Sequence, residues 1–211
     1  MSTAFFVLIH LFKYGKISIP YTERAVQMDI YDYLDLLQKD IQTSPIQEIE
    51  QRYFDICTKL CGTDIAKAIQ LVSLKDYQEA LQDLLAQGLT VAYSEGAKAI
   101  YFEYDLDNDW DSTLFICEDY QPLEEDDDEW ACEWVDEING PSLATFGNLY
   151  ESHGFHDTNE ALGSTLYLIV RTVLEYMRAY NEVNAFPKVN VCIGFHDQDP
   201  VMRINEAASV L

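Results

Sequence analysis

An α+β fold is what the sequence predicts: a helical N-terminal half packed with an antiparallel sheet and one long C-terminal helix. Changes of period carry that expectation. Up to Gly88 apolar side chains recur at three- and four-residue steps, after it they alternate, and from Asp157 a long stretch returns to the helical period. Length agrees, because 211 residues of which 48% are apolar can fill a core. No Pro/Gly/Ser-rich linker divides the chain, so 1–211 is expected to form one domain, with 1–88 its mainly helical part and 89–211 its strands and long helix.

The longest apolar run, Ala4–Phe12, contains His10 and is far short of the roughly 20 residues that span a bilayer as a helix. Its flanks lack the basic start and small-residue cleavage site of a signal peptide, so it reads as a buried element with a core histidine. From Thr22, the stripe Val26, Ile30, Tyr33, Leu34, Leu37 and Ile41 predicts an amphipathic helix. Ser44-Pro45-Ile46-Gln47 predicts the next start, with Ser44 as N-cap, Pro45 in the first turn and Gln47 reaching back. That helix should bury Ile49, Tyr53, Ile56 and Leu60 and stop at Gly62. Thr63 opens a third helix carrying Ile65, Ile69 and Val72, and Ser73–Asp76 opens a fourth ending at Gly88.

Beyond Gly88, Ile100, Phe102, Tyr104 and Leu106 alternate with Tyr101, Glu103, Asp105 and Asp107, the pattern of a strand with one wet face. A turn at Asn108–Asp111 and the run Thr113–Cys117 complete a hairpin. Residues 119–153 carry no clear period. Asp157 or Thr158 opens the longest helix, whose broad apolar face marks it as the central support, and Val189–Phe195 and Val201–Ile204 alternate again.

Charge is the outstanding feature. The chain carries 13 Lys and Arg against 37 Asp and Glu, a formal charge of −24. Between Lys98 and Arg171 lie 72 residues with 19 acids and no Lys or Arg, so most of the excess sits in about a third of the chain. Direct nucleic-acid binding is excluded as an expectation, since phosphate is neutralised by clustered Lys and Arg that are scarce here. Such a tract repels itself within a Debye length of about 8 Å and is expected on the surface. It is interleaved with Trp110, Trp130, Trp134, Tyr101, Tyr104 and Tyr120, and large aromatics beside charge are the composition of a recognition surface. The plain alternative is a solvated face that serves solubility. The expected partner-binding residues are Asp105, Asp107, Asp109, Trp110, Asp111, Glu124, Glu125, Asp126, Asp127, Asp128, Glu129, Trp130 and Trp134.

Other chemistry finds less support. Asp107–Glu118 resembles a calcium-binding EF-hand loop at its first, third, fifth, eighth and twelfth positions, but Ser112 replaces the turn glycine and the flank alternates like a strand. Gly-Phe-His-Asp occurs at 154–157 and 194–197, so His153, His156 and His196, with Asp157 and Asp197, would form a metal or general-base cluster if the segments meet; a metal-dependent enzyme or metal-binding protein is the alternative reading. Asp157, followed by Thr158-Asn159-Glu160, reads rather as a helix N-cap and Asp197 as a turn residue. No nucleophile elbow, phosphate-cradling glycine loop or His-Glu-x-x-His helix is present, so neither a catalytic residue nor a cofactor is expected. Five scattered cysteines (Cys57, Cys61, Cys117, Cys132, Cys192) suit a reducing cytoplasm. Cys57 and Cys61 share a helix face but lack further zinc ligands and read as buried thiols.

In charge and class, residues 99–170 resemble bacterial immunity proteins, which neutralise a toxin that is often a nuclease with a cationic cleft, and protein mimics of DNA. That resemblance implies a cytosolic inhibitor that docks on a basic protein by electrostatic mimicry, its carboxylates standing where phosphates would lie.

Overall fold

Helix ends are set by whatever satisfies the free backbone groups there. The computed structural model describes residues 28–125, 127–154, 156–183 and 189–206. Ala4–Phe12 with His10, and the predicted helical turn from Thr22 to Val26, lie outside them. Helix α1 (Ile30–Thr43) starts at a capping box in which the Asp29 and Asp32 carboxylates each accept the other's backbone N–H at 3.0 Å. Ser44 is not the cap of the second helix. It closes α1 by donating its N–H to the Asp40 carbonyl, and Pro45, extended at φ −62° and ψ 143°, precedes α2 (Ile46–Cys61) with no side-chain cap. Pro45 is itself extended and takes the N-cap place, which leaves Ser44 one residue too early to reach the free N–H groups of α2.

Gly62, at φ +90°, ends α2 and starts α3 (Thr63–Gln70) in one residue, a backbone that L side chains rarely adopt. Helix α4 (Lys75–Glu95) runs through Gly88, where the sequence predicts a stop, to the left-handed Gly96. Packing explains Gly88: a Cβ there would lie 2.2 Å from Leu114 Cδ2, so the glycine lets the helix lie close on the sheet.

Strands β1 (Ala99–Tyr104) and β2 (Ser112–Cys117) form the expected hairpin. The unassigned stretch holds two 3-10 turns (Leu123–Glu125 and Glu129–Cys132), strand β3 (Trp134–Asn139) and helix α5 (Ala144–His153). Thr158 caps α6 (Asn159–Glu182) by accepting the Ala161 N–H, and β4 (Asn190–Phe195) and β5 (Met202–Asn205) follow. The sheet order is β3-β2-β1-β4-β5, and the fold is α+β. One pairing departs from the antiparallel expectation. β1 and β4 are parallel, because the chain between β2 and β4 passes through α5 and α6 before it rejoins the sheet.

One face of the sheet, with Ile100, Phe102, Leu114, Ile116, Val191 and Ile193, shares a hydrophobic core with all the long helices. Helix α6 is the central support, buried along almost its whole length. Its Arg171 reaches out of the core to the carbonyls of Ile69 in the last turn of α3 and Val72 just beyond it, while Arg178 bridges Glu175 (2.8 Å) and Glu50 of α2 (2.6 Å). The other sheet face is not the wet one its alternation suggests. Ala99, Tyr101, Cys117, Cys192 and Val201 are roofed there by Trp130 and Ala131.

The two edges of the sheet differ. At β5, buried Gln38 of α1 accepts the Arg203 backbone N–H at 2.8 Å and donates to the Arg203 carbonyl at 3.0 Å, so a side chain completes the outer edge as a strand would. At β3, nothing among the described residues pairs with the outer edge.

Helices α2 and α6 approach so closely that a Cβ on Gly163 would lie 2.6 Å from Leu60 Cβ and 3.4 Å from the Cys61 nitrogen. Gly163→Ala is expected to cost about 1–3 kcal/mol in urea unfolding, although Ala is the better helix former, because neither atom can swing aside.

Candidate functional site

The β1–β2 turn holds five of the expected contact residues and sorts them at once. Asp107, Asp109 and Asp111 are exposed, and Asp105 is half-buried, accepting the Asp107 N–H at 2.9 Å. Trp110 is fully buried, which corrects its expected role as a surface anchor. Its ring packs on Tyr104, Phe146 and Tyr150 at centroid distances of 5.5, 5.6 and 6.1 Å, and its Nε1–H donates to Thr172 Oγ1 of α6 at 3.0 Å. Asp109 and Trp110 both adopt positive φ (52° and 58°), strained backbone held by that burial and by Gly147, whose missing side chain lets α5 lie against Asp109. Ser112–Cys117 being a strand, the calcium-loop resemblance ends in an acidic hairpin turn.

The acidic stretch after β2 is tied down by one buried cation, with Lys98 adding an exposed pair to Asp119 at 3.7 Å. Arg203, 1% exposed, pairs with Asp128 at 2.6 Å, donates to the carbonyls of Val201 and Gln121, and lies over the rings of Trp130 (5.2 Å) and Tyr120 (5.7 Å). The second Asp128 oxygen accepts the Val201 N–H at 2.6 Å. Asp128 and Trp130 therefore serve this latch, which corrects their assignment to a contact surface: a carboxylate committed to a buried guanidinium has no charge to offer, and Trp130 is 4% exposed. Glu124, Glu125 and Glu129 are exposed, Asp127 accepts the Glu129 N–H at 2.9 Å, and Asp126 lies outside the described residues.

Trp134 alone of the three tryptophans reaches solvent, at 46% exposed, followed by Val135 at 49%. It stands at the start of β3 and ends an aromatic row across the roofed face: Tyr101 stacks on Phe115 at 6.0 Å, and Phe115 meets Trp134 at 4.6 Å. Exposed Glu133, Asp136 and Glu137 flank it. Sequence reasoning does not single out these three acids, because they stand in the stretch without a clear period. The usable signal is Trp134-Val135 with Ile138, residues of high β propensity.

At the far end of the sheet, a cleft of about 420 Å³ is lined by Glu103, Asp105, Asp111, His196 and Asn139, with no Lys or Arg in its wall. His196 Nδ1 lies 3.2 Å from Glu103 Oε1, and the Tyr101 hydroxyl donates to the other oxygen at 3.2 Å. The hydrogen bond to Glu103 holds the imidazole pKa above its ordinary 6.5, with the Coulombic pull of the same carboxylate adding to it. This edge and cleft are suited to receive cations: carboxylates gathered in a concave wall favour an ammonium or guanidinium.

The histidines do not converge. His153 pairs with Glu160 at 3.4 Å, His156 lines a different cleft, and among the described residues no group of three or more His, Cys, Asp or Glu could hold a metal ion. Cys57 and Cys61 touch at 3.1 Å, the first buried and the second half-buried. Among the described residues no helix is long and apolar enough to cross a membrane.

Two measurements check this sorting. Trp110→Ala is expected to cost about 3–5 kcal/mol in chemical unfolding, and Trp134→Ala less than about 1.5 kcal/mol, since the second forfeits only a half-exposed ring contact. In an NMR titration His196 should change charge above pH 6.5, and Glu103→Gln should lower its pKa. A raised pKa means that the pair stabilises the fold fully below that ordinary value and that the contribution is lost as pH rises through the folded-state value.

No protein-family model matches the chain, and no curated protein or solved structure matches it either.

Proposed function

We propose that this chain is an acidic cytoplasmic binding protein, an inhibitor of the immunity type that docks on a basic partner such as a nuclease toxin. The observation that carries the reading is where the charge stands. Of the 18 described carboxylates between Lys98 and Arg171, 14 are exposed, and the edge at Trp134 sets three of them around a half-exposed indole. A face that served only solubility gains nothing from an indole in water, which promotes unwanted association. An interface uses both parts, the charges raising the rate of encounter and the aromatic ring supplying the buried anchor. Docking of this kind needs no reacting side chain. The carboxylates act as phosphate mimics, and the partner's cationic cleft is blocked by occupancy.

Affinity capture at low and at high ionic strength, followed by association kinetics with the captured basic protein, tests the reading. The variant with Asp127→Asn, Glu133→Gln, Asp136→Asn and Glu137→Gln should associate about tenfold more slowly at low salt, with a shallower dependence of the rate on salt. All four residues lie outside the Arg203 latch, so the fold is kept. An unchanged salt dependence would overturn electrostatic docking.

A further inference from the structure

We propose that the partner engages this chain by strand addition, laying an extended segment with Lys or Arg at alternate positions along the outer edge of β3. The inference rests on the reading of the partner as basic and adds how it is held.

The backbone of β3 is set for such a neighbour. Gly140 donates its N–H to the Ser112 carbonyl at 2.8 Å, and the pairing then runs Leu114 with Ile138 and Ile116 with Asp136. Backbone groups alternate in direction along an antiparallel strand, so those of Glu137 and Asn139 point away from β2. The Glu137 N–H confirms this direction: it is taken at 2.9 Å by the carboxylate of the adjacent Asp136, not by any strand. An incoming carbonyl would replace that carboxylate, and an incoming Lys or Arg would pair with it once released.

The opposite edge shows what a closed one looks like in the same molecule. Gln38 occupies both outward backbone groups of Arg203 on β5, whereas the β3 edge has no such guard among the described residues. Side chains at the open edge state the occupant's chemistry. Glu137 lies opposite Phe115 and shares the face of Trp134, so one side of an added strand meets a carboxylate and an indole, both of which hold cations. Asn139 at the end of β3 also lines the acidic cleft, which places a second cation site along the same path. A second copy of the chain is disfavoured as occupant, since it brings a charge of −24 to a carboxylate-lined edge. Main-chain pairing supplies affinity, and alternate side chains supply specificity.

The test uses the full chain and three fluorescent ten-residue probes: a Lys-Val repeat, the same repeat N-methylated at every residue, and a Glu-Val repeat. The Lys-Val probe should bind in low salt at least tenfold more tightly than either other probe. On binding, the Glu137 and Asn139 amides should gain hydrogen-exchange protection. Glu137→Pro, which removes the outward N–H, should weaken the Lys-Val probe at least tenfold beyond Glu137→Gln, which removes only the charge; the amide protection of the unsubstituted chain decides the matter if the proline variant fails to fold. Equal binding of the methylated and unmethylated Lys probes, with the two amides unchanged, overturns strand addition and leaves basic docking standing. Binding of the Glu-Val probe as tight as that of the Lys-Val probe, or none by any probe, overturns both. A dimer of the free chain with those amides already protected overturns the basic segment as occupant in favour of a second copy.

Discussion

The acidic stretch between β2 and β3 depends on one buried guanidinium. From Glu118 to Glu133 the chain carries nine carboxylates and no base, and left to itself such a segment repels both itself and the sheet. Arg203 is supplied from β5, far away in sequence, and it neutralises one carboxylate, holds two carbonyls and lies beneath two aromatic rings. Burial of a charge is costly unless it is paired and hydrogen-bonded, and here both conditions are met. The result is a firm roof over one sheet face, from which the chain enters β3 with Trp134 at a defined place.

Beneath that roof the scaffold is conventional in its physics. Helix α6 is buried on nearly all sides, and its two arginines secure the carbonyls at the end of α3 and close a network with Glu175 and with Glu50 of α2. Small residues appear where backbones must approach: Gly88 between α4 and β2, Gly147 between α5 and the β1–β2 turn, Gly163 between α6 and α2. The buried indole of Trp110 fixes that turn to α6, so the exposed aspartates beside it are carried on a rigid support.

The sequence makes the helices of the first half, the hairpin and the long helix legible, because each repeats a period over many residues and carries capping or turn chemistry. It misleads at Gly88, since a glycine required by contact with Leu114 looks the same as one that ends a helix. It misleads at Trp110 and Trp130 for a related reason. An aromatic ring between aspartates reads as exposed when only local charge is known, and the partners that bury these two, Thr172 and Arg203, lie 62 and 73 residues further on. Strand β3 is short and preceded by turns, so no periodicity announces it. The display of charge around Trp134 was legible as composition, while its placement on an open edge needed the sheet order.

Gln38 has a consequence for assembly. Sheets with two free margins can stack head to tail, each copy offering the next what the last one offered it, and such growth has no natural end. Here one margin is already filled by the chain's own amide side chain, so any addition at the other terminates after a single step. Pairing through sheet margins alone is thereby denied the open-ended filament.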